Sequence, residues 1–214
     1  TKSGWQIVGE ETHPMGATDY SALMRDVAAS GAQVIFWWDC KPEVGIGIKQ
    51  WYDMKVPAML FGFLNPLDEP SAWESMEGKV ISTMQFNGEG GCLPDTNLTP
   101  LTKKFFDAFV AKYKEEPRGC GNVPTYTAMY LLKEAFEKAG SKDKDKVVAA
   151  LEETNMVTVG GLLTFDPKTH QAVYGIDPDK VLVGQWLQWQ DGQRKCIYPP
   201  AAANAEIQLP PWMQ

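Results

Sequence analysis

Residues 32–63 read AQVIFWWDCKPEVGIGIKQWYDMKVPAMLFGF, and this stretch decides the fold. An apolar run rich in β-branched and aromatic residues, 33–38, predicts a buried strand. A helix is expected to open at Pro42, where a missing N–H costs nothing, and to run to about Met54. AMLFGF at 58–63 then predicts a second buried strand. Working back toward the start, Gly31 stops a helix that Thr18 or Asp19 caps, with Tyr20, Leu23, Met24, Val27 and Ala28 on one face. Residues 5–12 read as a further strand leaving a core. Working forward, 65–70 predicts a turn, 71–76 a short helix and 79–85 another strand. Strands alternating with helices specify an open parallel α/β sheet, with right-handed crossovers placing helices on both of its faces.

The grammar changes after Gln85. Residues 86–98 form a glycine-rich connector, and three helices follow without an intervening strand. The first starts at Thr99-Pro100 and displays Leu101, Phe105, Phe109 and Tyr113. The second starts at Pro124, displays Tyr126, Met129, Tyr130, Leu132 and Phe136, and ends at Gly140. The third runs from about Asp143 to Thr154 around Val147, Val148 and Leu151. Their apolar faces have only GLLTFD, 161–166, as sheet of their own. Near the end, VLVGQWLQWQ at 181–190 predicts a strand, Asp191-Gly192 a two-residue hairpin turn, and 194–198 the returning strand.

Composition narrows the function classes. The chain has 214 residues, enough for a substantial core in one large or two small domains. The net charge of -7, with no local Lys/Arg cluster, argues against nucleic acid and anionic membrane surfaces as partners. No run approaches the ~20 apolar residues of a membrane span, so no direct membrane insertion is expected. The four cysteines, Cys40, Cys92, Cys120 and Cys196, include no C-x-x-C pair, which makes a metal site a poor reading. Cys92 and Cys120 bracket one predicted helix and could bridge in an oxidising compartment; buried small hydrophobes are the equal alternative. GIGIKQ at 45–50 lacks the third glycine of a dinucleotide loop, and no P-loop, G-x-S-x-G or H-E-x-x-H occurs, so neither cofactor nor catalytic residue is expected. His13 and His170 sit in turn-like contexts and read as solvated surface.

Several blocks together resemble a known family. YTAMYLLKEAFEKAG (126–140), KVVAALEET (146–154), GLLTFDPKTHQAVYG (161–175) and QWLQWQDGQ (185–193) look like the C-terminal portion of ABC-transporter substrate-binding proteins of the branched-chain amino acid, or Leu/Ile/Val-binding, type. GEET (9–12), DYSALM (19–24) and KPE (41–43) match its second lobe, and the resemblance is collinear over essentially the whole chain. It implies the type I periplasmic-binding-protein fold, two Rossmann-like α/β lobes joined by a hinge that trap a small solute as they close. Residues 1–85 would form the second lobe, 86–180 the helical completion of the first, and 181–214 a return to the second lobe with a C-terminal tail. The first lobe's own sheet would come from a missing N-terminal segment of the same protein, since residues 1–9 resemble a helix end running into a strand. The resemblance further implies export to the periplasm or cell exterior, with the signal peptide outside this chain, and partnership with the permease subunits of an ABC transporter.

In open α/β sheets ligands sit outside the carboxyl ends of the strands. That rule nominates Trp38, Asp39 and Cys40 at the end of the first strand and Phe63, Leu64 and Asn65 at the end of the second. Strand alternation sends Trp37 and Trp38 to opposite faces, with Trp38 favoured for the ligand and Trp37 for the packed side. Asp39 is either a capping residue ahead of the next helix or the anionic partner of a solute ammonium. Asn122 and Tyr126 are candidates for the opposite wall. Family members that bind α-amino acids set a carboxylate where this chain reads Phe63-Leu64-Asn65 and an aromatic where it reads Cys40. Neither is matched, so an aromatic or other small organic acid joins the amino acids as the expected solute. A sensory ligand-binding domain on the same fold and an α/β enzyme are the competing readings; the latter requires an acid/base pair at the strand ends, where Asp39 is the one titratable group in view.

Overall fold

The computed structural model describes residues 3–214, which divide into two compact units. The first unit comprises residues up to Phe86 together with Gln188–Arg194 and Ile207–Gln214; the second comprises Asn87–Leu187 and Lys195–Glu206. The 181–214 stretch therefore contributes to both.

The first unit holds helix α1 (Ser21–Ser30), strand β1 (Val34–Asp39), helix α2 (Val44–Asp53), strand β2 (Met59–Leu64), the single turns α3 (Asn65–Asp68) and α4 (Ala72–Ser75), and strand β3 (Met84–Asn87). Gly31 ends α1 in the left-handed conformation, φ 72°, as the sequence anticipates. Asp19 supports the start of α1: its Oδ1 accepts from Ser21 N at 2.8 Å, which holds the carboxyl below the usual carboxylate range. β1 and β2 pair in parallel from Val34 opposite Met59 to Asp39 opposite Leu64, and β2 pairs in parallel with β3. The strand order continues to β8 (Gln185–Gln190) and β9 (Gln193–Tyr198), giving β1-β2-β3-β8-β9. Asp191 and Gly192 both take positive φ, 47° and 81°, the two-residue turn expected for a hairpin whose strands twist normally.

Three expectations are corrected. Residues 5–12 form no strand; Trp5, Ile7 and Val8 are exposed, and the segment does not pair with β1, which stands at the edge of the sheet with β2 as its one neighbour. The strand expected over 79–85 shortens to Met84–Asn87, since Ile81 N bonds to Gly78 O and Ser82 takes φ 64°, a turn that precedes the ladder. The helices do not cover both faces of β1 and β2. Met24 of α1 and Val44, Ile48 and Trp51 of α2 share one core cluster with Trp37, Leu60 and Leu64.

Period-2 alternation explains what that leaves open. Trp37, Leu60 and Leu64 are buried, while Phe36 and Trp38 are exposed and Phe61 and Phe63 half-buried. The register sets Phe36 opposite Phe61 and Trp38 opposite Phe63, with ring centroids 5.0 Å apart in each pair. Gly47 lets α2 approach the packed face, since a Cβ there would collide with the Trp37 ring and crowd Tyr20. The glycines of 45–50 thus serve packing. The C-terminal 3-10 turn (Pro211–Met213) returns Trp212 to this core, its Nε1 donating to Val56 O at 2.8 Å and its ring set edge-on to Trp51.

The second unit is mainly helical: α5 (Pro100–Tyr113), α6 (Asn122–Ala139) and α7 (Lys144–Glu152). Thr99 and Thr102 close a capping box on α5, Asp143 caps α7 through Lys146 N, and Gly140 ends α6 at φ 56°. Two small sheets accompany them, β4 (Met156–Val157) antiparallel to β5 (Leu162–Leu163), and β6 (Tyr174–Gly175) parallel to β7 (Leu182–Val183). Leu93, Phe105, Val123, Val159 and Leu187 belong to its buried cluster. Along α6, Tyr126, Met129, Tyr130, Leu132 and Phe136 are all exposed, so this helix presents an apolar face with little cover among the described residues.

Candidate functional site

The carboxyl ends of β1 and β2 gather most of the residues that the sequence nominates. Trp38, 63% exposed, lies nearly parallel to Phe63 at an interplanar angle of 22°, whereas Trp37, one position earlier, is 7% exposed. Stacked rings of this kind give a broad apolar shelf at small rotamer cost. Beyond them Cys40 is exposed, and Asn65 Nδ2 donates to Cys40 O at 3.0 Å, tying one strand end to the other. Leu64 sits differently. Its side chain is fully buried in the core, and its backbone N–H donates to Gln85 Oε1 at 2.8 Å, so neither its side chain nor its N–H faces the open strand end.

Asp39 is already engaged on both oxygens. Oδ1 accepts from Lys41 N at 2.9 Å, the local turn that lets the chain leave the strand toward α2, and Oδ2 lies 3.0 Å from His13 Nε2. His13, read from sequence as solvated, instead stands beside this carboxylate, with Trp37 Nε1 3.2 Å from the same ring nitrogen. Its imidazole meets Tyr20 and Trp37 edge-on at 5.0 and 5.6 Å. The loop carrying it is pinned by Glu43, whose Oε1 accepts from Gly16 N at 3.0 Å; that bond, after the one to its own backbone N–H, holds the Glu43 carboxyl below its ordinary range. Tyr20 is buried with its hydroxyl lacking a partner, and burial, then the charges of Asp39 and Glu43, push its phenol upward. A turn-like context such as T-H-P gave no signal that the ring folds back onto a strand 24 residues away.

In the second unit, Asn122 opens α6 and its Oδ1 accepts from Arg118 N at 2.7 Å. Tyr126 lies one turn on, its ring 4.8 Å from Phe105 and 4.9 Å from Tyr130. A hydrogen bond with Tyr130, and then burial, raise its phenol pKa. Among the described residues no cluster of three His, Cys, Asp or Glu could hold a metal ion, and no helix is long and apolar enough to cross a membrane.

The first unit is a parallel α/β sheet with an aromatic and polar strand end, and the second is a helical unit whose apolar faces are partly uncovered among the described residues. Residues 1–185 match the family model described as periplasmic binding protein, and the chain belongs to that family. Within it the similarity is to the branched-chain amino acid type. The leucine-, isoleucine-, valine-, threonine-, and alanine-binding protein of Pseudomonas aeruginosa is 29% identical over 154 residues, covering 72% of this chain and 39% of its own length. Among solved structures, the protein of the same description from Brucella ovis, in a closed conformation, superimposes with a TM-score of 0.74 at 13% identity, covering 98% of this chain and 54% of that one. A solute binding protein of an ABC transporter from R. palustris, in complex with benzoate, gives 0.71 at 13% identity, covering 94% and 52%. The fold is the α/β type I periplasmic binding fold, and the chain spans about half the length of the curated relatives it matches.

Proposed function

We propose that this chain is the solute-capturing part of an exported binding protein that collects an amino acid or an aromatic organic acid and delivers it to an ABC permease, performing no chemistry itself. The observation that carries this reading is the shelf at the carboxyl ends of β1 and β2, where exposed Trp38 stacks on Phe63 beside Cys40 and the Asn65 side chain. A flat apolar surface bordered by a few fixed polar groups is what recognition of a small ring or branched side chain requires. The relatives named for branched-chain amino acids and the structural neighbour holding benzoate support both solute classes as candidates. The longer protein supplies the remainder of the first lobe, which would cover the apolar face of α6.

A thermal-shift screen of the full-length protein against amino acids, benzoate and hydroxybenzoates tests the reading. A solute at a hundred times its Kd should stabilise the fold by about 2.7 kcal/mol, and the shift should vanish in Trp38→Ala. A folded, ligand-free protein that responds to none of these compounds would overturn it in favour of a sensory domain or an enzyme.

A further inference from the structure

Two cysteines far apart in sequence converge on one side chain of the second unit. Asn87, fully buried at the end of β3, donates from Nδ2 to Cys92 Sγ at 3.1 Å. The same amide nitrogen faces the turn that opens α6: a Cβ built on Gly119 would stand 1.9 Å from Asn87 Nδ2, so the backbone there lies directly against the amide. Cys120 is the next residue.

The other two cysteines are placed differently. Cys40 belongs to the first unit, just past the end of β1. Cys196 is buried, donates to Tyr198 O at 3.4 Å and accepts from Gln185 Nε2 at 3.3 Å. Burial pushes its thiol up to about 11, which leaves little of the reactive thiolate at neutral pH. Cys92 is buried and Cys120 partly exposed, so an oxidant from solvent meets Cys120 first. A bridge asks for Cα atoms about 5.5–6 Å apart. Gly119 pressed on the amide supplies the approach, and Gly121, where a Cβ would meet nothing within 4 Å, gives the turn room to adjust.

We propose that Cys92 and Cys120 form a disulfide in the mature protein. The inference rests on the exported reading given above, because an oxidising compartment supplies the oxidant, a protein dithiol–disulfide oxidoreductase or glutathione disulfide. The Cys120 thiolate attacks the oxidant's S–S bond, forming a mixed disulfide and releasing one thiol. The Cys92 thiolate then attacks Cys120 Sγ, which forms the Cys92–Cys120 bond and releases the second thiol. The two cysteines give up two protons and two electrons, and the oxidant's disulfide takes up both as it becomes two thiols. The bridge staples the glycine-rich connector to the start of α6, where Asn122 and Tyr126 stand.

The test is peptide mapping of the full-length protein after equilibration with glutathione disulfide, alkylation in denaturant and digestion with trypsin without reduction. Peptides 80–103 and 119–133 should be recovered joined, and dithiothreitol should separate them. Reduction should also lower Tm by roughly 5 °C. Cys120→Ser, at the partly exposed position, should abolish the joined peptide and melt near the temperature of the reduced wild type. Cys92 and Cys120 both recovered alkylated from the oxidised protein would overturn the proposal, and so would Cys92 joined to Cys196 in their place. The bridge is read without any solute, so its absence leaves solute capture standing. A solute screen that fails on protein carrying the bridge defeats solute capture alone.

Discussion

The side chain of Asn65 donates to the backbone carbonyl of Cys40 across 3.0 Å, so the residue that opens α3 fixes the point where β1 ends. Parallel strands are otherwise joined only along their ladder, which here stops at Asp39 opposite Leu64. Replacing Asn65 with Ala should cost about 1 kcal/mol, the net worth of one such bond, and should weaken solute affinity more than it lowers Tm. Urea melts and titrations on the same variant check both; an affinity equal to wild type would remove Asn65 from the proposed shelf.

Gly47 and Trp37 make a second pair whose geometry has consequences. A methyl group at position 47 would collide with the Trp37 ring and press on Tyr20. Overpacking of this kind typically costs about 1–3 kcal/mol. Gly47→Ala should therefore destabilise the first unit by that amount in chemical denaturation, and Gly45, whose nearest neighbours stand at ordinary contact distance, should tolerate Ala with little loss.

Periodicity made most of the first unit legible, because strand alternation and helix punctuation are local. Gly31, Gly140 and the Asp191-Gly192 turn stand where their residue types require. What the sequence could not supply was pairing. The 5–12 segment is apolar enough to read as a strand, but it does not pair with the outer edge of β1, and no local pattern decides whether a segment docks on an edge. Trp37 and Trp38 could be sorted by alternation alone, whereas His13 at Asp39 depends on a loop reaching back, and no local pattern encodes that. Leu64 shows the same limit from the other side: its position at the strand end is readable, and the inward direction of its side chain is fixed only by the register with its neighbours.

Glu89 predicts a pH dependence in the second unit. It is buried, and loss of hydration raises its pKa, against the lowering effect of the Thr127 and Thr158 side chains and Gly160 N–H. The folded state therefore holds its proton at pH values where the unfolded chain has lost it. Stability should fall as pH rises from about 4.5, the ordinary value, through the raised folded value, and level off above it. Glu89→Gln keeps an acceptor for Thr127 Oγ1, which donates at 2.6 Å, and removes the titration. Its Tm should match wild type at pH 4 and exceed it at pH 7; parallel Tm curves across that range would refute the assignment.

The cysteines should separate by reactivity. Cys40 is exposed at the shelf, while burial pushes the Cys196 thiol up to about 11, against a backbone hydrogen bond at Tyr198 and the Gln185 side chain. Since the thiolate is the reactive form, iodoacetamide at pH 8 should modify Cys40 and leave Cys196 untouched until the protein unfolds. A bound solute should slow the labelling of Cys40. Peptide mass spectrometry reads both, and rapid modification of Cys196 in the native protein would contradict its burial.

The open aromatic face makes the last prediction. Phe36 is exposed on the side of β1 away from the core, with half-buried Phe61 opposite it, and Met129, Tyr130, Leu132 and Phe136 are exposed along α6. Contiguous apolar surface of this kind drives association unless something covers it. If the longer protein provides that cover, residues 1–214 produced alone should bind an apolar dye strongly and self-associate in light scattering. The full-length protein should do neither. Phe36→Ser combined with Phe61→Ser should lower dye binding by the 214-residue chain, because these rings face each other across the register at 5.0 Å. A monomeric chain of 214 residues that ignores the dye and unfolds in one cooperative step would mean that the two apolar faces need no partner, and the proposed dependence on the rest of the first lobe would fall with it.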